Sequence, residues 1–258
     1  MVELYSGHGF LIMTTFHLVS LFPESTESYL NASILKRAQE KGLISIKYYN
    51  PREYVERSIE DGKLKKVLSY ADKRVDDRPY GGGPGMVIEA LPVIKAIEAA
   101  MNSAQGKLRK LFPKKLVAKK KIKIIFFSPS GKQFSNKIAD TLKNYTDIIF
   151  VCGRYEGIDA RVKKVFPMLD ISVGPYVLTG GELPAMIMLD TITRRIKGVL
   201  GDDLSVEEER VASPDVYTRP EVIEYKNKKY RVPKILLSGH HAKMDKWKSL
   251  KIKRKKKA

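Results

Sequence analysis

Residues 170–196 read DISVGPYVLTGGELPAMIMLDTITRRI, and how this stretch is parsed decides the fold. Asp170 to Val173 ends an apolar run suited to a strand covered on both faces, and Gly174-Pro175 breaks it. After Gly180-Gly181 the apolar residues continue as a helix, with Pro184 in its first turn, where a missing N–H removes no intrahelical bond. Gly174, Gly180 and Gly181 keep side chains out of the connection, so backbone N–H and C=O groups face open space. Two uses suit such a connection: a ligand laid against the main chain, or a tight strand-to-helix turn that binds nothing. These residues alone weigh the two evenly. The helix closes at Arg194, so one rigid element would carry both the glycine turn and that arginine.

Upstream the same order repeats. Lys123–Phe127 reads as a strand entering Ser128-Pro129-Ser130-Gly131; Phe134, Ile138 and Leu142 recur at helical spacing; Ile148–Cys152 is a strand entering GRYEGID. Alternating strands and helices predict an α/β fold with a mostly parallel sheet, whose ligands bind beyond the carboxyl ends of strands. Three glycine-containing loops fall there: Ser128–Gly131, Gly153–Gly157 and Gly174–Gly181. Nearer the N-terminus, Thr14–Phe22 and Ile44–Tyr49 read as strands, Glu27–Lys41 and Ile88–Met101 as helices. Residues 1–12 fit no element and are expected to be a peripheral extension to a domain spanning 13–201.

DDRPYGGGPGM, Asp76 to Met86, is an ordered turn system, since a flexible linker has no use for Arg78, Tyr80 and Met86. It lacks the Gly-Lys-Ser/Thr ending of a phosphate loop, and no G-x-G-x-x-G sits at a strand-to-helix turn, which disfavours a nicotinamide enzyme. After Gly201 the pattern stops. Residues 202–215 are acidic and read as an interdomain linker, followed by a small C-terminal domain, 216–258, that ends in a lysine-rich tail expected to be disordered.

The net charge of +19 is unevenly spread. Lys226–Lys257 holds 14 lysines and arginines against Asp245 alone, and Lys107–Lys123 holds nine and no acid, which leaves the remainder slightly acidic. Two dense patches are the footprint of a polyanion-binding surface, and RNA is the expected partner. The lone Cys152 lies in a strand and is expected in the core. The first residues carry no basic leader and no segment approaches a membrane span, so a soluble, cytoplasmic protein is expected. Four histidines and one cysteine form no ligand cluster, so no structural zinc is expected.

DDRPYGGGPGM, SPSGKQF, VCGRYEGIDARV, SVGPYVLTGGELPAM, DTITRRIKGVLG, YTRPE and LLSGHHAKMDKW, in this order, closely resemble the tRNA (guanine-N1)-methyltransferases of the TrmD type, in the SPOUT superfamily. The resemblance runs from about Thr14 to Trp247. It implies a homodimer, a C-terminal trefoil knot at the cofactor site, and methyl transfer from S-adenosylmethionine to N1 of the guanine 3′ of the anticodon, position 37 of tRNA. Phe127, Ser128, Pro129, Gly153, Tyr155 and Glu156 would border the cofactor. Val173, Gly174, Tyr176, Leu178, Gly180 and Gly181 would hold it largely through the main chain. Magnesium is admissible beside it, but no residue pattern asks for the ion.

Neutral guanine carries a hydrogen on N1, so the chemistry needs a base near N1 and a cation near O6. By motif position Arg194 is the cation. Its other use is to offset the dipole at a helix C-terminus. Counting forward from GVLG places Glu209 at the family's linker aspartate, with Glu208 beside it; counting back from Tyr217 lands on Ser205. Glu209, with Glu208 in reserve, is the expected base, supplied by the other subunit. His240 stands where the family has Asn, and the helical C-terminal domain that the resemblance implies is shorter than in relatives, which predicts RNA binding by unshaped charge with steep salt dependence. A non-catalytic RNA-binding SPOUT protein and a SPOUT methyltransferase acting on ribosomal RNA are the alternative readings.

Overall fold

The structure, a computed structural model, describes residues 13–55, 59–60, 63–64, 73–105, 121–200 and 215–255. Residues 1–12, nearly all of the basic segment between 107 and 123, and the acidic linker up to 214, which includes Glu208 and Glu209, lie outside these residues. The chain divides into two compact units, Met1–Val199 and Leu200–Ala258.

In the first unit, β1 (Thr14–Val19), α1 (Glu24–Leu30), α2 (Ser33–Glu40) and β2 (Ile44–Tyr49) are followed by a short 3-10 helix, Pro51–Tyr54. The small strand pairs β3 (Ile59–Glu60) with β4 (Lys63–Leu64) and β5 (Asp76–Asp77) with β6 (Val87–Ile88) come next. Then come α3 (Ala90–Gln105), β7 (Ile122–Gln133), α4 (Asn136–Leu142), β8 (Asp147–Val151), α5 (Arg161–Val165), β9 (Leu169–Ser172) and α6 (Glu182–Thr193). Five strands form one sheet in the order β2-β1-β8-β7-β9, and every pairing is parallel.

Both faces of this sheet are covered, which is why its strands are nearly unbroken apolar runs. Alternation then sorts the side chains: Phe16, Leu18, Ile125, Ile148, Phe150 and Ile171 pack with α2, α4 and α6, while Val19, Ile124, Ile149 and Val151 pack with α3 and α5. The helix predicted over Glu27–Lys41 is two helices, broken at Asn31-Ala32 with Ser33 at φ 48°. Asn and Ser are weak helix formers, and Leu30 and Leu35 reach the same core from either side of the break.

The second unit holds a hairpin as well as a helix: β10 (Val222–Tyr225) and β11 (Lys228–Arg231), then a 3-10 turn, Lys234–Leu237, and α7 (His241–Lys255). Lys226 and Asn227, both at positive φ, form the two-residue turn a tight hairpin favours. Among the described residues no helix is long and apolar enough to cross a membrane.

Candidate active site

β7 is flanked by β8 and β9, and each of the three strands carries one glycine-containing loop. The first loop is an excursion inside one strand. Phe127 and Lys132 both register with Ile171, so Ser128–Gly131 arches away from the sheet and returns to the same partner. Gly131 is needed for that return: a Cβ there would lie 2.7 Å from the Ile171 backbone. The second loop leaves β8 at Cys152, with Tyr155 at φ 58°, and Arg154 bridges to Gly180 of the third.

The three loops enclose a cavity of about 470 Å3. Phe127, Ser128, Pro129, Gly153, Tyr155, Glu156, Val173, Tyr176, Leu178, Gly180 and Gly181 all line it, so the structure brings eleven of the twelve residues proposed for the cofactor to one place. Gly174 is the exception. It is buried behind the wall against the Tyr176 ring, and the Ser172 hydroxyl donates to its carbonyl at 2.9 Å.

The glycines of the third loop make room for the protein chain itself. A Cβ on Gly180 would meet Arg154 Nε at 2.5 Å, and one on Gly181 would meet Cys152 Cα at 2.6 Å. Beneath them Glu182, 3% exposed in the first turn of α6, accepts a 2.6 Å hydrogen bond from the Ser20 hydroxyl and pairs with Arg154 Nε at 2.9 Å. The Arg154 guanidinium also lies 5.0 Å over the Phe22 ring. Burial, reinforced by the Glu182 charge, pushes the Cys152 thiol well above its usual pKa. This pair was missed from sequence because Ser20, Arg154 and Glu182 meet only through the fold.

Asp76–Met86 also finds its place here. The Glu156 N–H donates to the Met86 carbonyl at 3.0 Å, the Ile88 N–H donates to Gly157 at 2.9 Å, and Gly85 packs against the Glu156 side chain. The glycine-rich turn buttresses the second loop. Lys163 was likewise missed from sequence: it lines the cavity from α5, fixed to Asp170 by a 2.6 Å hydrogen bond and seated 4.0 Å over the Phe126 ring.

Arg194 does not line the cavity. It caps the C-terminal end of α6, twelve residues and roughly 18 Å from the glycine turn, so the cavity and the arginine of this chain do not meet. Neighbouring Arg195 is held by Asp140 at 3.0 Å; no described side chain pairs with the Arg194 guanidinium. Glu208 and Glu209 lie outside the described residues. His240 lies in the second unit, just ahead of α7. Among the described residues no three His, Cys, Asp or Glu side chains are grouped to hold a metal ion.

A parallel α/β sheet with a cavity at three glycine-containing loops, lined by the side chains of Phe127, Pro129, Tyr155 and Tyr176 among others, defines an α/β protein with a candidate ligand site beyond its strands. The relatives narrow this to one family. Residues 14–258 match the family described as tRNA (Guanine-1)-methyltransferase TrmD. The tRNA (guanine-N(1)-)-methyltransferase of Carboxydothermus hydrogenoformans is 39% identical over 234 residues, covering 89% of this chain and 79% of its own. That of Staphylococcus epidermidis is 40% identical over 233 residues, covering 89% and 82%. The crystal structure of tRNA (m1G37) methyltransferase from Aquifex aeolicus superposes with a TM-score of 0.66 at 31% identity, covering 91% of this chain and 87% of that one. The chain belongs to the tRNA (guanine-N1)-methyltransferase family.

Proposed function

We propose that this protein methylates N1 of the guanine 3′ of the anticodon, position 37 of tRNA, with S-adenosylmethionine as donor, as a cytoplasmic homodimer. The observation that carries the reading is the convergence of three loops on one cavity at the carboxyl edge of β7, β8 and β9. The cavity suits the cofactor. Phe127, Pro129, Tyr155 and Leu178 offer apolar surface to an adenine ring, and the backbone of the glycine loops offers donors and acceptors to a neutral base and ribose. Bound there, the cofactor supplies an electrophilic methyl group.

The chain's own residues would do the rest. A base takes the N1 proton of guanine, and a guanidinium meets the charge that grows on O6. We assign the first role to Glu209, with Glu208 in reserve, and the second to Arg194, which can also engage N7. The separation of Arg194 from the cavity along α6 favours a site shared between subunits, each lending its arginine and linker glutamate to the other's cofactor. Exposed apolar side chains on and beside α6, Leu183, Ile187 and Tyr29, suit a partner face of this kind. We retain the division into an extension, 1–12, a methyltransferase domain, 13–201, with a trefoil knot at the cofactor loops, a linker, 202–215, and a basic RNA-binding domain, 216–258.

Methyl transfer to tRNA transcripts that vary the nucleotide 3′ of the anticodon tests the reading. Product confined to transcripts with guanine there, as 1-methylguanine, is expected. Transfer to ribosomal RNA instead, or RNA binding without any binding of S-adenosylmethionine, would overturn it.

A further inference from the structure

We infer that Lys163 receives the carboxylate at the amino-acid end of the cofactor and thereby sets the preference for S-adenosylmethionine over nucleosides that lack that group; this rests on the cofactor reading above. The cofactor has two chemically different ends. Adenine and ribose are neutral and suit a main-chain wall, whereas the amino-acid end carries a carboxylate that needs a cation or several N–H groups when it leaves bulk water. Among the described residues that line the cavity only Arg154 and Lys163 are cationic. Arg154 is already committed: its Nε is 2.9 Å from buried Glu182, and its guanidinium lies over Phe22.

Lys163 is held but not used up. Its ammonium is 2.6 Å from Asp170 Oδ2 and 4.0 Å from the centre of the Phe126 ring. An ammonium has three donors; Asp170 takes one and the ring faces another, which leaves one for a ligand in the cavity. Two anchors fix the position of a long side chain in advance, so little rotamer entropy is lost when a ligand arrives. Asp170 also balances part of the lysine's charge, which suits a single carboxylate better than a doubly charged phosphate.

Calorimetry on the full-length protein tests this with two ligands, S-adenosylmethionine and its decarboxylated form, which keeps the nucleoside, sulfonium and amine. The wild type is expected to favour the carboxylate-bearing ligand by about tenfold or more, as a charge-assisted hydrogen bond would give. Lys163→Met should lose about tenfold in affinity for S-adenosylmethionine while binding the decarboxylated ligand as before, and Lys163→Arg should keep the preference. An unchanged preference in Lys163→Met, an equal loss for both ligands, or a loss confined to tRNA binding would overturn the inference. A wild type that binds neither ligand would overturn the cofactor reading itself, an outcome distinct from a wild type that binds both ligands equally.

Discussion

Gly181, at the start of α6, and Cys152, beyond the end of β8, approach so closely that a Cβ on the glycine would sit 2.6 Å from the cysteine Cα. The Gly181 N–H also donates to the Gly153 carbonyl at 2.9 Å. The obstacle is backbone, so Gly181→Ala cannot be absorbed by a side-chain rotation. Overpacking of this kind costs about 1–3 kcal/mol and would shift the third loop. Urea unfolding of the variant should show that loss, and calorimetry should show weakened cofactor binding; unchanged values for both would refute the close approach.

Cys152 is fully enclosed, and its thiol is raised well above the usual range by burial first and the Glu182 charge second. The thiolate is the reactive form, so the folded protein should resist iodoacetamide near pH 8. Labelling should appear only in denaturant. Rapid labelling of the native protein would contradict the burial.

Removing Arg154 leaves Glu182 as a buried carboxylate with the Ser20 hydroxyl alone. Arg154→Met is therefore expected to destabilise by on the order of 1–3 kcal/mol, since the arginine keeps some contact with water, and Ser20→Ala by about 1 kcal/mol. Converting Glu182 to Gln within the Arg154→Met background should recover part of the loss. A double variant no more stable than Arg154→Met would show that the buried charge is not its source.

Hydrogen bonds from the Arg161 side chain outweigh the burial of the Asp159 carboxyl and hold its pKa below the ordinary value. A depressed carboxylate contributes stability above its unfolded pKa of about 3.9 and loses it as pH falls through the folded value. Asp159→Asn should thus cost stability at pH 7 and progressively less as pH drops below about 4. Thermal melts across pH 2–7 measure it; a gap between variant and wild type that widens in acid would reverse the sign.

Arg194→Ala should lower methyl transfer by about 10²–10³ while leaving S-adenosylmethionine affinity intact, since the arginine stands away from the cavity. Glu209→Gln should cost more than Glu208→Gln. In a shared site, dimers mixing an Arg194→Ala subunit with a subunit unable to bind cofactor should recover turnover that neither homodimer has. Normal turnover by Arg194→Ala, or equal small effects of the two glutamates, would remove those residues from the mechanism.

What local sequence could determine here is what period and backbone chemistry carry. Ile44–Tyr49 is a strand with the expected bounds, the strand expected over Ile148–Cys152 is β8, Asp147–Val151, and the second and third loops follow strand ends, because apolar runs and glycine breaks are local signals; the break at Ser128–Gly131 lies inside β7, which resumes its pairing with β9 beyond it. Boundaries set by packing were less legible: α3 begins at Ala90 because Val87–Ile88 pairs with Asp76–Asp77 and the second loop. Glycine in the Asp170–Ile196 stretch was legible as a type of residue but not in its cause. The sequence pointed to room for a ligand; the tertiary structure shows Gly180 and Gly181 admitting Arg154 and Cys152. Likewise the chain order places Arg194 on the helix that starts at the cavity, but only the straight rise of α6 sets the two apart. Composition and spacing follow from the sequence alone, whereas close approach, and hence Lys163 over Phe126 or Glu182 under Arg154, depends on residues brought together by packing the sheet and its helices.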